Sequence, residues 1–586
     1  MARQLEHFPN LVTMFLTRAR ERPQQPFLWA KRDGAWQSIS FAEAARQVAA
    51  LAESLERIGL KPGDRVMLVS ENRPEWLIAD LAIMAAGMVT VPTYTTNTPR
   101  DHQHILANSG ASAVIVSTQK LAKMLMPAVL FASDCRHIVS IDEIITGQSH
   151  DVAKFHLWSD LVAGPGDVGA LEQRMAAVGR GDLACLIYTS GTGGAPRGVM
   201  QHHGMILHNV EGCVDIIAND FAWDDEIFLS FLPASHAYEH SGGQHFPVGL
   251  GAQIYFAESL EKLAANIEEV RPTMMVVVPR LFEMLRAKIL KSVDKDGGLP
   301  KYLMGRALMI EGKRNDGASS WWDAPMDGLL SVTLRKKVRG RFGGRIKAMV
   351  SGGAPLNLDV GLFFQAMGLP VLQGYGQTEA GPVISCNRPK VGVRMETVGP
   401  PLRNSEVRIA EDGEIMVRGE QVMKGYWNNP DQSAAVLAGG WLATGDVGHL
   451  DDQGRIVITD RKKDLIVNDK GDNVSPQRVE GMLTLQPEIV QAMVHGDRRP
   501  HLVALLVPDP DLVAEHVSDQ AGLAKAIGRA VDRVNAELSV IEKIRRFILA
   551  DAAFDVENEQ LTPSMKIRRH VIAASYGERL DALYKR

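Results

Sequence analysis

Between about residues 60 and 380, short unbroken apolar runs alternate with longer stretches in which apolar residues recur every three or four positions. Arg65–Ser70, Met88–Pro92, Ser112–Val116 and His137–Ile141 read as strands, with a helix over Pro74–Gly87. Leu183–Thr189 reads as a strand ending in a glycine-rich loop, and a helical stretch follows from about His202. Ala252–Phe256 and Thr273–Val278 are further strands, each followed by a helix, Leu260–Val270 and Pro279–Ser292. Unbroken apolar strands are those buried on both faces, and their alternation with helices builds α/β architecture with largely parallel sheets.

The pattern shifts after about Gly399. Glu406–Ala410 and Glu414–Arg418 flank Glu411-Asp412-Gly413, a hairpin signal, and Asp451–Gly454 is a second turn between His449 and Arg455. This reads as a β-rich subdomain at about 400–460. A charged run, Asp460-Arg461-Lys462-Lys463-Asp464, then leads into a new mixed pattern. The expected organisation is a large α/β domain over residues 1–462 and a small α+β domain over residues 463–586. Repeats of 20–50 residues and low-complexity tracts are absent from the sequence.

At 586 residues the chain has room for several domain-sized units. Lys plus Arg number 64 against 69 Asp plus Glu, a net charge of −5, which argues against bulk nucleic-acid binding. The four cysteines, Cys135, Cys185, Cys213 and Cys386, form no CxxC pair. That speaks against a disulfide scaffold and suits a reducing compartment. The longest apolar run, Leu81 to Pro92, is about 12 residues against the roughly 20 that a bilayer span needs. Met1–His7 has no apolar core of a secretory signal, so a cytoplasmic protein is expected, with attachment at the inner membrane surface left open.

The glycine-rich loop is Tyr188-Thr189-Ser190-Gly191-Thr192-Gly193-Gly194-Ala195-Pro196-Arg197-Gly198. Glycines let backbone N–H groups approach phosphate oxygens; the hydroxyls of Thr189, Ser190 and Thr192 add donors, and Arg197 adds charge. Val199 after Gly198 excludes a Walker A motif, and Pro196 excludes a dinucleotide fingerprint starting at Gly191. The loop resembles the phosphate loop of the AMP-forming adenylating enzymes, the superfamily of acyl-CoA synthetases, luciferases and peptide-synthetase adenylation domains. Its usual pattern there is T-S-G-T-T-G-x-P-K-G, from which Gly193 and Arg197 depart.

The resemblance implies roles for further segments. Gln373-Gly374-Tyr375-Gly376-Gln377-Thr378-Glu379 is similar to the adenine and magnesium segment, with Tyr375 on adenine, Thr378 on phosphate and Glu379, together with Thr189, on Mg²⁺. Nucleotide contacts are also implied for Gln373, Gly374, Gly353, Ser190, Gly191, Thr192, Gly194 and Arg197. Thr444-Gly445-Asp446 matches the segment whose Asp holds the ribose hydroxyls. Arg461 falls where the family has a ribose- or phosphate-contacting Arg, and Lys463 at the interdomain hinge; Lys462 is read as part of a solvated linker. Leu561–Arg569 resembles the C-terminal motif with the catalytic lysine, here Lys566, on a mobile lid.

His236-Ala237-Tyr238-Glu239-His240 spells H-x-x-E-H, a zinc-peptidase motif that needs both histidines on one helical face. Pro233 upstream and Gly242-Gly243 downstream predict a short turn instead, and zinc is not expected. His102-Gln103-His104 and His202-His203 read as surface or packing residues. Leu232–Glu239 instead matches L-P-x-x-H-x-x-E of long-chain acyl-CoA synthetases, which makes His236 a candidate acyl-binding and catalytic residue. Ala257–Leu260, Arg271–Thr273, Val278–Leu281, Ser351–Leu356 and Lys470–Val474 resemble the bacterial long-chain branch. Gly352 and Gly353 would let an acyl chain pass close to the backbone. The activity so implied joins a fatty acid to CoA through an acyl-adenylate, with ATP, CoA and Mg²⁺ required. A fatty acyl-AMP ligase that loads a carrier protein, a catalytically silent lipid- or nucleotide-binding relative, and a homodimer stay open.

Overall fold

Alternate residues of the parallel strands face different cores, which is why two sheets and three helical layers stack. The computed structural model describes residues 4–145, 153–189, 195–555, 557–562 and 567–585. A seven-stranded sheet runs in the order Lys154–Leu157, His137–Ser140, Ala113–Val116, Arg65–Val69, Val89–Pro92, Leu183–Thr189, Arg197–His202. All its neighbours are parallel except the last pair. An eight-stranded sheet runs Val383–Cys386, Val371–Gly376, Ala348–Ser351, Met274–Val277, Ile227–Ser230, Gln253–Phe256, Pro26–Arg32, Ala35–Ser40. It is parallel inside and antiparallel at both edges. The expected α/β class is therefore correct, with antiparallel strands closing the sheet edges.

Val66 and Leu68 point into the central core, while Met67 and Val69 point into an outer one. Met274 likewise faces the centre, and Met275 and Val277 face the opposite side. The central core thus takes side chains from both sheets and holds the helices Leu11–Glu21, Phe41–Arg57, Pro74–Ala85 and His203–Ile216 between them. Every residue of Pro74–Ala85 is buried, so this helix is apolar all round apart from Glu75 and Asp80.

The β-rich stretch forms an antiparallel five-stranded sheet from Glu406–Ile409, Glu414–Arg418, Leu437–Ala438, Trp441–Leu450 and Ile456–Arg461. Beyond it, Ile489–His495, Leu502–Pro508 and Ile544–Leu549 make a three-stranded sheet packed by helices Pro476–Thr484, Gln520–Glu537 and Arg569–Ala582. Among the described residues, no helix is long and apolar enough to cross a membrane.

One local expectation gains detail and another needs correction. Lys462 is half-exposed on a turn, and its ammonium also pairs with Asp412 at 2.5 Å and Glu414 at 2.9 Å, because Arg461 still belongs to a strand that brings the run beside the hairpin. The segment after His236 is not a short turn. Helical backbone continues from Ala237 to Leu250, with a π turn over His240–His245. Gly243 does not terminate it; the glycine instead leaves room for the folded-back Glu239 carboxylate, which would lie 2.2 Å from a Cβ there.

Candidate active site

The edges of both large sheets and the β-rich sheet meet at one mouth. Leu183–Thr189 and Arg197–His202 form a hairpin in which Thr189 lies opposite Arg197. Ser190, Gly191, Gly193, Thr192 and Gly194 in the loop between them, and Lys566 near the C-terminus, lie outside the described residues. Thr189 Oγ1 is buried and has no hydrogen-bond partner among the described residues. The Arg197 guanidinium lies over the Tyr426 ring, 4.4 Å from its centroid, and donates to Gln432 Oε1 at 3.0 Å.

Tyr426 ties this cation to the segment beyond the Val371–Gly376 strand. Its hydroxyl donates to Glu379 Oε1 at 2.8 Å, in the 3₁₀ turn Thr378–Ala380, and Val199 and Tyr426 bridge the two segments. Glu379 is nearly buried, yet Oε2 has no protein partner among the described residues. The carbonyl of Thr378 accepts from Gln201 at 2.8 Å, which fixes the turn against the hairpin. Lys463 reaches the same place: burial first, then the Arg461 charge, depress its pKa, with Arg197 adding to that and Glu379 opposing it.

Four residues before Glu379, the Tyr375 hydroxyl donates to Asp446 Oδ2 at 2.7 Å. Asp446 pairs in register with Arg461, whose Nε is 3.5 Å from Oδ1. Thr444 Oγ1 accepts from the Asp446 N–H at 3.1 Å, so the carboxylate is held on a braced turn. A cation, a phenol and a two-oxygen acceptor therefore share one edge of the mouth. Gln373 faces elsewhere, its amide donating to the Met395 carbonyl at 2.5 Å; Gly374 continues the same strand.

The second wall is the segment after His236. His236 caps the helix by accepting from the Tyr238 N–H at 3.1 Å, and its ring lies 6.4 Å from that of Tyr94. The Tyr238 hydroxyl donates to the Val350 carbonyl at 2.8 Å. Its ring leaves no room at position 352, where a Cβ on Gly352 would sit 2.7 Å from Tyr238 Cζ. Gly353 adopts φ +81°, a left-handed conformation that favours glycine. Glu239 accepts from Ser230 Oγ at 2.6 Å, and burial pushes its carboxyl up to about 8.

The H-x-x-E-H side chains do not converge. His236 caps its own helix, Glu239 binds Ser230, and His240 turns to the other side. His240 and His245 instead both meet Asp80 Oδ2, at 3.0 and 3.1 Å, in complete burial. Burial alone would raise the Asp80 carboxyl, but the two imidazoles outweigh it and hold it well below the usual range. The ligand atoms of this trio lie within 4.8 Å of one another. Yet Nδ1 of both rings and Asp80 Oδ1 have no partner among the described residues, whereas metal-bound histidines normally brace the second nitrogen. The trio is a hydrogen-bonded strut between the Pro74–Ala85 helix and the π turn. Of the other histidine pairs, His102 and His203 are buried, in keeping with packing, and His104 meets the Pro196 carbonyl at 2.8 Å.

No sequence motif points to Tyr426 or Tyr94, and Tyr238 enters only as an unassigned position of the H-x-x-E-H run. Gly425-Tyr426-Trp427 is an aromatic pair after a glycine, but nothing local to it points to Glu379, 47 residues away.

A protein-family model described as AMP-binding enzyme matches residues 15–427, and one described as AMP-binding enzyme C-terminal domain matches residues 463–586. The chain is 32% identical to the long-chain-fatty-acid–CoA ligase FadD15 of Mycobacterium tuberculosis, over 98% of this chain and 97% of that one. It is 28% identical to long chain acyl-CoA synthetase 1 of Arabidopsis thaliana, over 100% of this chain and 92% of that one. Among solved structures, the adenylation domain of a carboxylate reductase from Mycobacterium chelonae superposes with a TM-score of 0.77 at 21% identity, over 99% of this chain and 92% of that one. The O-succinylbenzoate coenzyme A synthetase of Bacillus subtilis, in complex with AMP, superposes with a TM-score of 0.68 at 22% identity, over 96% of this chain and 98% of that one.

Proposed function

The chain belongs to the AMP-binding enzyme family, and from that premise we propose that it activates a medium- or long-chain fatty acid with ATP and passes the acyl group to CoA. It is an AMP-forming long-chain fatty acid–CoA ligase. In the first half-reaction a carboxylate oxygen attacks the α-phosphorus and pyrophosphate leaves. In the second, the CoA sulfur attacks the acyl carbon, the thiol proton is released and AMP leaves.

The observation that carries this reading is the meeting of Tyr375, Asp446 and Arg461 with Glu379, Tyr426 and Arg197 at one mouth. Asp446 offers carboxylate oxygens to a ribose diol, and Arg461 beside it balances the charge. Tyr375 presents an aromatic ring for adenine. Glu379 Oε2 and the unpartnered Thr189 hydroxyl are hard oxygen donors that suit Mg²⁺, and these two residues would hold it. When bound, the ion neutralises phosphate charge. Arg197, held over the Tyr426 ring, adds a positioned cation for the phosphates. His236 and Gly353 line the acyl side, where the missing side chain of Gly353 lets a chain lie against the backbone; at Gly352 the Tyr238 ring fills that space instead, so Gly352 serves by seating the ring. Lys566 supplies a cation to the α-phosphate in the first half-reaction only, because the 463–586 domain, hinged at Lys463, turns between steps and screens the adenylate from water. The same reading includes work at a membrane surface and a homodimer.

The test is AMP release from ATP by the purified chain with a long-chain fatty acid, with and without CoA or an acyl-carrier protein. Fatty acid- and CoA-dependent AMP with acyl-CoA as product is expected. AMP formation that needs the carrier protein, or none with any fatty acid, overturns the reading.

A further inference from the structure

Residues 279–345 differ from the rest of the surface in two ways. They carry fifteen Lys and Arg against seven Asp and Glu, a net of +8 within a chain of net −5. They also hold eight of the chain's exposed large hydrophobic side chains. Trp321 and Trp322 are 71% and 72% exposed and stack on one another at 3.6 Å. The helix Ala324–Val332 that follows is amphipathic. Leu330 is buried, while Pro325, Leu329 and Val332 continue from Trp322 at spacings of three, four and three and stay exposed.

The neighbouring helix Gly298–Asn315 repeats the device. Met304, Ala307 and Ile310 are buried, and Leu299, Tyr302 and Met309 are exposed on a stripe shared with Arg306 and Lys313. Lys313 meets Asp323 at 3.0 Å and Arg314 meets Asp327 at 3.2 Å, so the two faces lie side by side. Exposed Lys336, Lys337 and Arg339 follow on the next helix, Leu334–Arg341.

We propose that this face docks on an anionic lipid bilayer. The tryptophan pair sits at headgroup level, Leu329 and Val332 enter the acyl boundary, and Lys336, Lys337 and Arg339 meet the phosphates. Tryptophan suits that depth because its ring is apolar and its N–H polar. The charge decides the occupant: a second copy docked through the same face would bring two clusters of exposed Lys336, Lys337 and Arg339 together, whereas an anionic surface neutralises them. The purpose of docking rests on the fatty-acid reading, since such a substrate partitions into bilayers, but docking itself is read without turnover.

The experiment is co-sedimentation of the full chain with phosphatidylcholine vesicles and with vesicles that also contain phosphatidylglycerol, at low and high salt. Binding is expected to the anionic vesicles and to weaken with salt. Trp321→Ser with Trp322→Ser, and separately Lys336→Glu with Lys337→Glu, are expected to weaken it by about tenfold or more. AMP formation with octanoate in the absence of vesicles is expected to stay unchanged in both variants, which shows them folded. Equal binding to both vesicle types, no binding, or binding undisturbed by either variant overturns the proposal. So does self-association or duplex-DNA binding that the same variants abolish while vesicles do not bind. Anionic-vesicle binding without AMP formation from any fatty acid leaves docking standing and rejects the fatty-acid reading instead.

Discussion

The hydroxyl of Tyr426 donates to Glu379 Oε1 at 2.8 Å while the guanidinium of Arg197 rests on the same ring. One aromatic residue thus orients the carboxylate proposed for the metal and the cation proposed for phosphate. Tyr426→Phe removes only the donor and keeps the ring under Arg197. A hydrogen bond to a charged group contributes about 1.5–3 kcal/mol, so Mg-ATP use should weaken by about tenfold or more. Titration of AMP release against Mg²⁺ checks this. An unchanged Mg²⁺ requirement, in this variant and in Glu379→Gln, would show that Glu379 is not a ligand.

Arg197→Lys exchanges a planar fork stacked on Tyr426 for a point charge. It should lower kcat/KM for ATP by a few-fold to about tenfold, and Gly193→Thr together with Arg197→Lys should recover much of that. Steady-state kinetics in ATP decide it; an improvement with Arg197→Lys alone would mean that Arg197 does not compensate for the hydroxyl missing at 193.

Asp446→Asn keeps the shape but removes the charge beside Arg461 and one acceptor for ribose. Weaker AMP binding, by about tenfold, is expected by calorimetry. Equal affinities would separate Asp446 from the nucleotide.

Lys566→Ala should slow adenylate formation by about 10²–10³ and spare thioester formation from supplied acyl-AMP. Single-turnover assays of the two half-reactions measure it. An equal loss in both would contradict a lysine that serves one step.

Burial holds Glu239 at about 8, against the ordinary value of 4.5. The folded chain therefore retains this proton where the unfolded chain has lost it. The associated stability is present in full below about pH 4.5 and is lost as pH rises through about 8. Glu239→Gln mimics the protonated form and keeps an acceptor for Ser230. The melting temperature of the wild type should fall, relative to the variant, between pH 5 and 8.5. A pH-independent difference would place the carboxyl in an ordinary, ionised state.

The sequence by itself determined the parallel strands, because unbroken apolar runs such as Leu183–Thr189 and Met274–Val277 reflect burial on both faces, a local property. Through the resemblance of its short motifs to those of the adenylating enzymes, it also offered Tyr375, Glu379, Asp446 and Arg461 as candidates. Where those motifs end up relative to one another was decided by tertiary structure. Sheet order sets Val199 beside Tyr426 and so carries Tyr426 to Glu379, and it brings Asp80 to His240 and His245 across some 160 residues. Gly242-Gly243 shows the same division. Read locally they end a helix, since glycine is a poor helix former; in the fold they remain helical, and glycine is required there because the Glu239 carboxylate and Val276 occupy the space side chains would need. A period records a residue's neighbours along the chain. Packing across sheets depends on pairing between distant segments, which no local spacing encodes.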